Sequence, residues 1–323
     1  MMKRREFIAG LGGAAALPLA ARAQQAMPVI GFLRSTPAPP FVHLEAALRQ
    51  GLAEAGFVEG RNVAIEYRYA DNRLDRLPGL AADLLRRQVA AIVVNQGSAY
   101  AAKAATTSIP IVFVTGNDPV RAELVDSLSR PSGNLTGVTF LGGAPLTAKR
   151  LGLIRELVPN VALIAVLIEP AQAETELPEV EAAGRSLGRK LLIVKASNER
   201  EIDAAFSTIV QSGAGALYIG AGAFFASQRR RLVELAARHA IPAIYSLRDA
   251  VEIGGLISYG SSFPGAYHQA GLYVGRLLKG AKPSELPVVQ PTKFELAINM
   301  KTAKALGLNV PLTLQASANE VIE

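Results

Sequence analysis

The residues in this chain that could do chemistry are short polar clusters, each following an apolar run. Ser35 and Thr36 follow the run 29–33, Asn95, Gly97 and Ser98 follow 90–94, and Asn117 and Asp118 follow 109–114. Glu169 follows 161–168, Gly222 and Phe224 lie in the stretch 220–225 after 216–219, and Tyr245 closes 241–245. These are hydroxyls, amides, carboxylates, glycines and aromatics. Several precede a predicted helix, whose free N–H groups and positive dipole end favour an anion. Such a set suits a small ligand carrying a carboxylate, with Asp118 or Glu169 holding an ammonium group. Phe224, Phe225, Tyr100 and Tyr245 are candidates to stack on a ring, each contact worth about 1 kcal/mol. Taken singly, each polar residue also reads as a helix cap, and Phe225 reads equally well as core. The case for a site rests on the whole set.

Catalytic arrangements are scarce. His43, His239 and His268 are the three histidines, all on predicted helices and without metal-ligand spacing. The chain has no cysteine, which excludes a thiol nucleophile, cysteine-ligated metals and disulfides. It has no G-x-S-x-G elbow, no phosphate-binding G-x-x-x-x-G-K-[ST] loop and no G-x-G-x-x-G after a strand. No cofactor and no metal are therefore expected. An exported hydrolase using Asp118 or Glu169 as general base lacks a visible partner residue.

Strands and helices alternate to position these clusters. Predicted strands at 29–33, 63–69, 90–94 and 109–114 are separated by helical patterns at about 44–55, 74–87 and 100–107. Residues 135–138 read as a crossing segment. The alternation then restarts, with strands at 161–168, 190–195, 216–219, 241–245 and 256–259 and helices at 146–157, 175–188, 199–212 and 226–239. Continuous apolar strands between amphipathic helices mean parallel sheets covered on both faces. A helix at 263–278, a strand at 293–298 and a helix at 300–306 are too little for a third domain and are expected to return to the two halves. In open parallel sheets ligands bind outside the carboxyl ends of the strands, where the polar clusters lie.

Residues 1–23 read as an export signal. Lys3, Arg4 and Arg5 precede a short apolar stretch and an Ala21-Arg22-Ala23 cleavage site, and the paired arginines point to the twin-arginine route. Cleavage near Ala23 would leave a soluble periplasmic chain, and the absence of an N-terminal cysteine argues against a lipid anchor. The net charge of +7 includes a net +3 from this leader, leaving +4. The densest basic run, Arg229 to Arg231, lies on a predicted helix beside Glu234 and reads as a solvated face rather than a nucleic-acid site.

From about Pro28 to Glu323 the chain resembles the periplasmic substrate-binding proteins of ABC transporters related to tryptophan/tyrosine-binding proteins. The resemblance is carried by VIGFL at 29–33, GLAEAGF at 51–57, GRNV at 60–63, IPIVF at 109–113 and DPV at 118–120. It continues in SGNLTGV at 132–138, GGLISYG at 254–260, QPTKFELAIN at 290–299, KTAKALG at 301–307 and NEVIE at 319–323. It implies a type I periplasmic-binding-protein fold: two doubly wound α/β lobes with parallel sheets, joined by a three-crossing hinge. The implied lobes are 27–140 plus 260–288 and 141–259 plus 289–323. Hinge closure on a small molecule, delivery to a membrane permease and a monomeric state are likewise implied. The family's cleft positions map onto Ser35, Gly97, Ser98, Asp118 and the loops after residues 168 and 219. Two departures stand out. Family members carry Asp-Pro before the second-lobe aromatic pair, where this chain has Gly222-Ala223, and an Asp and an Arg after Tyr259-Gly260, where it has neither. An aromatic or aliphatic carboxylate therefore competes with an amino acid as the expected ligand. A ligand sensor for a signalling system would share the same fold and cleft.

Overall fold

A computed structural model describes residues 27–140 and 143–323; the leader predicted at 1–23 lies outside them. The first half runs β1 (Val29–Arg34), α1 (Val42–Glu54), β2 (Ala64–Tyr69), α2 (Leu77–Arg86), β3 (Ala91–Asn95), α3 (Gln96–Ala105), β4 (Ile111–Thr115) and β5 (Leu135–Thr139). The second half runs α4 (Ala144–Leu157), β6 (Leu163–Ile168), α5 (Ala173–Ser186), β7 (Lys190–Lys195), α6 (Glu199–Gln211), β8 (Ala216–Ile219), α7 (Ala223–Ser227), α8 (Arg229–Arg238), β9 (Ala243–Tyr245), α9 (Arg248–Glu252) and β10 (Ile257–Gly260). Then follow α10 (Phe263–Leu278), β11 (Glu295–Asn299), α11 (Met300–Ala305), α12 (Leu312–Ser317) and β12 (Glu320–Ile322).

The strands form two sheets. One has the order β2-β1-β3-β4-β5 and is parallel throughout. The other has the order β12-β11-β10-β9-β8-β6-β7, and there β11 runs antiparallel to β10. The two parallel-sheet lobes expected from the sequence are present, and β11 with β12 runs against the rest of the second sheet because the chain enters β11 after a crossing from the other lobe rather than after a covering helix. The reading of 135–138 as a crossing segment is corrected, since it is strand β5 at an edge of the first sheet.

Local sequence accounts for most elements. Every residue of β3 and β4 is buried, as strands covered on both faces require. Helix α6 buries Ile202, Ala205, Phe206 and Ile209 along one stripe, and Asn198 caps it by accepting the Glu201 amide. Ser262 caps α10 in the same way through the Gly265 amide. Each sheet has a core on both faces. The first packs α1 and α10 on one side and α2 and α3 on the other. The second packs α4, α5, α11 and α12 on one side and α6 and α8 on the other.

The described residues change lobe at three places: between β5 and α4, between β10 and α10, and after Val289. Gly260 ends β10 in the second sheet, whereas Val289 pairs with Val138 of the first. The crossings thus fall one residue later than the sequence-based lobe boundaries at 260 and 289.

Candidate functional site

The carboxyl ends of strands from both sheets face one interlobe space. Arg34 ends β1, Asn95 ends β3, Gly116 and Asn117 follow β4, and Phe140 follows β5. Opposite them stand Gln172 after β6, Ala221 and Gly222 after β8, and Ser246 and Leu247 after β9. They enclose a central pocket of about 30 Å³. It shares Gly116, Asn117 and Ala221 with a larger cavity of about 580 Å³, lined by Asp118, Thr147, Arg150, Glu176, Glu179, Tyr259 and Phe294 among others.

Among the described residues three polar side-chain contacts join the lobes across this space. Arg229 Nη2 donates to the Pro40 carbonyl at 2.7 Å, with its guanidinium over the Phe41 ring. His43 Nε2 lies 2.9 Å from Asp249 Oδ2. Asn72 Nδ2 donates to Ser227 Oγ at 3.4 Å. Arg229 is therefore an interlobe contact rather than part of a solvated face, while Arg231 on the same helix pairs with Asp203 and Glu199 on the surface.

The candidate residues separate into cavity walls and supports. Asn95, Asn117, Asp118 and Gly222 line the cavities. Ser35, Thr36, Gly97 and Ser98 stand one layer back. Asn95 Oδ1 accepts the Ser35 amide at 2.9 Å and the Ser98 hydroxyl at 2.8 Å, while Asn95 Nδ2 donates to Ser35 Oγ. Ser98 Oγ also donates to the Leu33 carbonyl. Thr36 Oγ1 accepts from Arg34 Nε. Gly97 lies so close to Ser35 that a Cβ there would be 2.5 Å from Ser35 Oγ. Asp118 Oδ1 accepts the amides of Val120 and Arg121, as a cap does.

Glu169 is buried behind Gly222 and accepts the Phe225 amide at 2.6 Å. Burial pushes its carboxyl up to about 8, against the pull of that amide and with a further rise from Glu176 nearby. A carboxyl that holds its proton is a poor ammonium ligand. Phe224 packs beside Phe225 on the second-lobe core. Tyr245 lies in that core against Gly255 and lines neither cavity. Tyr100 is half exposed and donates to the Ala122 carbonyl. The aromatic rings at the central pocket are instead Phe140 and Phe263, 4.6 Å apart between centroids.

Two buried arginines lie outside the strand-end clusters. Arg150 donates from Nε to the Tyr259 carbonyl at 2.7 Å and from Nη1 to the Tyr218 hydroxyl at 3.5 Å. Tyr218 in turn donates to Glu176, which also accepts the Ala221 amide. Burial raises the Glu176 carboxyl, while Tyr218 and Arg150 pull it down. Arg34 sits in the central pocket and has no such acid beside it. The sequence does carry a mark for it: a charged residue closes an otherwise apolar strand, directly before the Ser35-Thr36 cluster. Among the described residues no cluster of three or more His, Cys, Asp or Glu is placed to hold a metal. No described helix is long and apolar enough to cross a membrane.

Residues 39–322 match the protein family described as ABC transporter substrate binding protein. The chain belongs to this family. Its members are binding proteins rather than enzymes, and the two-lobe architecture is theirs. A tyrosine-binding protein of Clostridioides difficile (strain R20291) is 26% identical over 263 residues, 80% of this chain and 75% of that protein. The crystal structure of a conserved domain protein from Vibrio cholerae matches with a TM-score of 0.85 at 26% identity, covering 91% of this chain and 99% of that one. A Streptococcus pneumoniae domain solved in complex with L-Trp matches with a TM-score of 0.83 at 25% identity, with the same coverage. This chain is thus a substrate-binding protein of the ABC-transporter type, and its distant relatives include binders of tyrosine and tryptophan.

Proposed function

We propose that this substrate-binding protein works outside the cytoplasm, capturing an aromatic amino acid or a related carboxylate between its lobes and presenting it to an ABC permease in the membrane. One observation carries the reading: strand ends from two separate sheets face a single enclosed space, with three chain crossings joining the lobes and side-chain contacts spanning the gap. Such an arrangement encloses a solute when the lobes close and releases it when they open. The polar and apolar walls suit a ligand with one charged end and one greasy end. The export signal read at 1–23 and the family's association with transporters support the location and the partner.

A thermal-shift screen of the full chain against amino acids, aromatic acids and short-chain carboxylates tests this. A ligand that binds only the folded state adds about 2.7 kcal/mol of stability at a hundredfold excess over its Kd. The expected result is a saturable upward shift within one of these classes. A melt left unshifted by every compound of these classes would contradict the proposed ligand class.

A further inference from the structure

Arg34 is a buried charge with only neutral partners. It is 1% exposed at the end of β1. Its Nε donates to Thr36 Oγ1 at 2.7 Å and its Nη1 to the Tyr267 hydroxyl at 2.9 Å. Its Cζ lies 3.6 Å from the centroid of the Phe41 ring. Among the described residues no carboxylate forms a hydrogen bond or ion pair with it. The acid that acts on it through space is Glu45, whose Oε1 already accepts the Tyr69 hydroxyl at 2.7 Å. Burial works against the charged form of this guanidinium, yet an arginine keeps its proton in proteins. A buried charge left this way calls for a counter-ion, and the open side of Arg34 is the central pocket.

We propose that Arg34 is the anion receptor of the cleft, taking the carboxylate of a ligand that has no α-ammonium group and whose apolar body extends past Asn117 and Ala221 into the larger cavity. The proposal rests on the solute-binding reading of the same cleft. The planar guanidinium fork matches a carboxylate in shape and charge. The pocket of about 30 Å³ has room for a group of that size and little more. Val114, Phe140, Leu247 and Phe263 supply apolar walls beside it.

An α-ammonium is one atom removed from the carboxyl carbon and would have to share this pocket. No carboxylate lines it. Asn95 Oδ1 already serves Ser35 and Ser98. Asp118, farther out, has Oδ1 committed to two backbone amides. Glu169 lies behind Gly222 and tethers the Phe225 amide. The site therefore favours an anion over a zwitterion.

Calorimetric titration of the full chain with matched probes tests the proposal. One set shares a phenyl body: 3-phenylpropanoate, 3-phenylpropanamide, L-phenylalanine and 2-phenylethylamine. A second pairs 4-methylpentanoate with L-leucine. The expected result is that at least one of the two acids binds about tenfold or more tighter than its amide or amino-acid counterpart, with no binding of the amine. Arg34→Gln should weaken that acid about tenfold or more, and Arg34→Lys less so, with circular dichroism showing both variants folded. If neither variant folds, the wild-type comparison of acid with amide and amino acid decides alone. Amino acids binding as tightly as the acids, an amide equal to its acid, or no binding of either acid would overturn the proposal. Should another solute class bind while both acids fail, the solute-binding reading stands and the Arg34 assignment falls. Should nothing in these sets or in the wider screen bind, both fall.

Discussion

The cleft is built from polar side chains occupied with one another, and their energetics make it sensitive to single atoms. Glu169 is the clearest case. Its folded pKa of about 8 lies above the 4.5 of a free glutamate, so between those values the folded chain holds a proton that the unfolded chain lacks. Stability from this group is complete below about 4.5 and is lost as pH rises through about 8. The melting temperature should therefore fall by several degrees between pH 6 and pH 9. Glu169→Gln should flatten that fall and melt above wild type at pH 9, because it keeps an acceptor for the Phe225 amide without a charge to bury. Equal pH slopes in the two proteins would show that Glu169 titrates elsewhere. Gly222 makes the complementary prediction. A Cβ there would lie 2.1 Å from the Glu169 carboxyl, which is pinned by its bond to Phe225. Gly222→Ala should displace the loop, lower stability by about 1–3 kcal/mol and weaken ligand binding in calorimetry. At this scale the sequence was partly legible. Strand-end position located Asn95, Asn117, Asp118 and Gly222 on the cavity walls. It does not reveal which way a side chain turns, so Tyr245 looks like a ring platform while lying against Gly255. It marks the place of Arg34 at the end of an apolar strand but not its surroundings, since those depend on the absence of an acid among residues distant in the chain.

At the scale of elements, the first lobe is held together by the crossing of α1 and α10, which are distant in sequence. Their backbones approach closely through small residues. A Cβ on Gly51 would fall 2.0 Å from the His268 carbonyl oxygen, and one on Gly271 2.3 Å from that of Leu48. Backbone cannot step aside as a flexible side chain can, so Gly51→Ala or Gly271→Ala should cost on the order of 3 kcal/mol or more, read by chemical denaturation. An unchanged midpoint would mean that the helices slide apart freely. The interlobe contacts make a second prediction. His43→Ala and Arg229→Ala each remove a link from the closed arrangement, seen here as His43 to Asp249 and Arg229 to Pro40. Each should weaken ligand affinity two- to fivefold, about 0.5–1 kcal/mol, without changing the stoichiometry measured by titration. Most elements were legible from apolar periodicity. The short pieces α9, α12 and β12 were not, because they lack the continuous apolar run that marks an equally short buried strand such as β8. The reversed direction of β11 was hidden as well, since direction depends on where the preceding crossing leaves the other lobe.

For the molecule as a whole, the halves visible in the sequence became lobes because each sheet has its own cores, and among the described residues the lobes meet at the chain crossings and the contacts across the cleft. The late return of α10 to the first sheet and of β11 and β12 to the second builds each lobe from two separate stretches of the chain. Opening then needs only rotation about the crossings, with each core left intact. The central claim is reversible capture of one small molecule in that space. It is tested most directly by titrating the full chain with the strongest compound from the screen and recovering the compound afterwards for analysis by mass spectrometry. The account predicts saturation at one molecule per chain and a compound recovered unchanged. A compound recovered chemically altered, or binding without saturation, would contradict it.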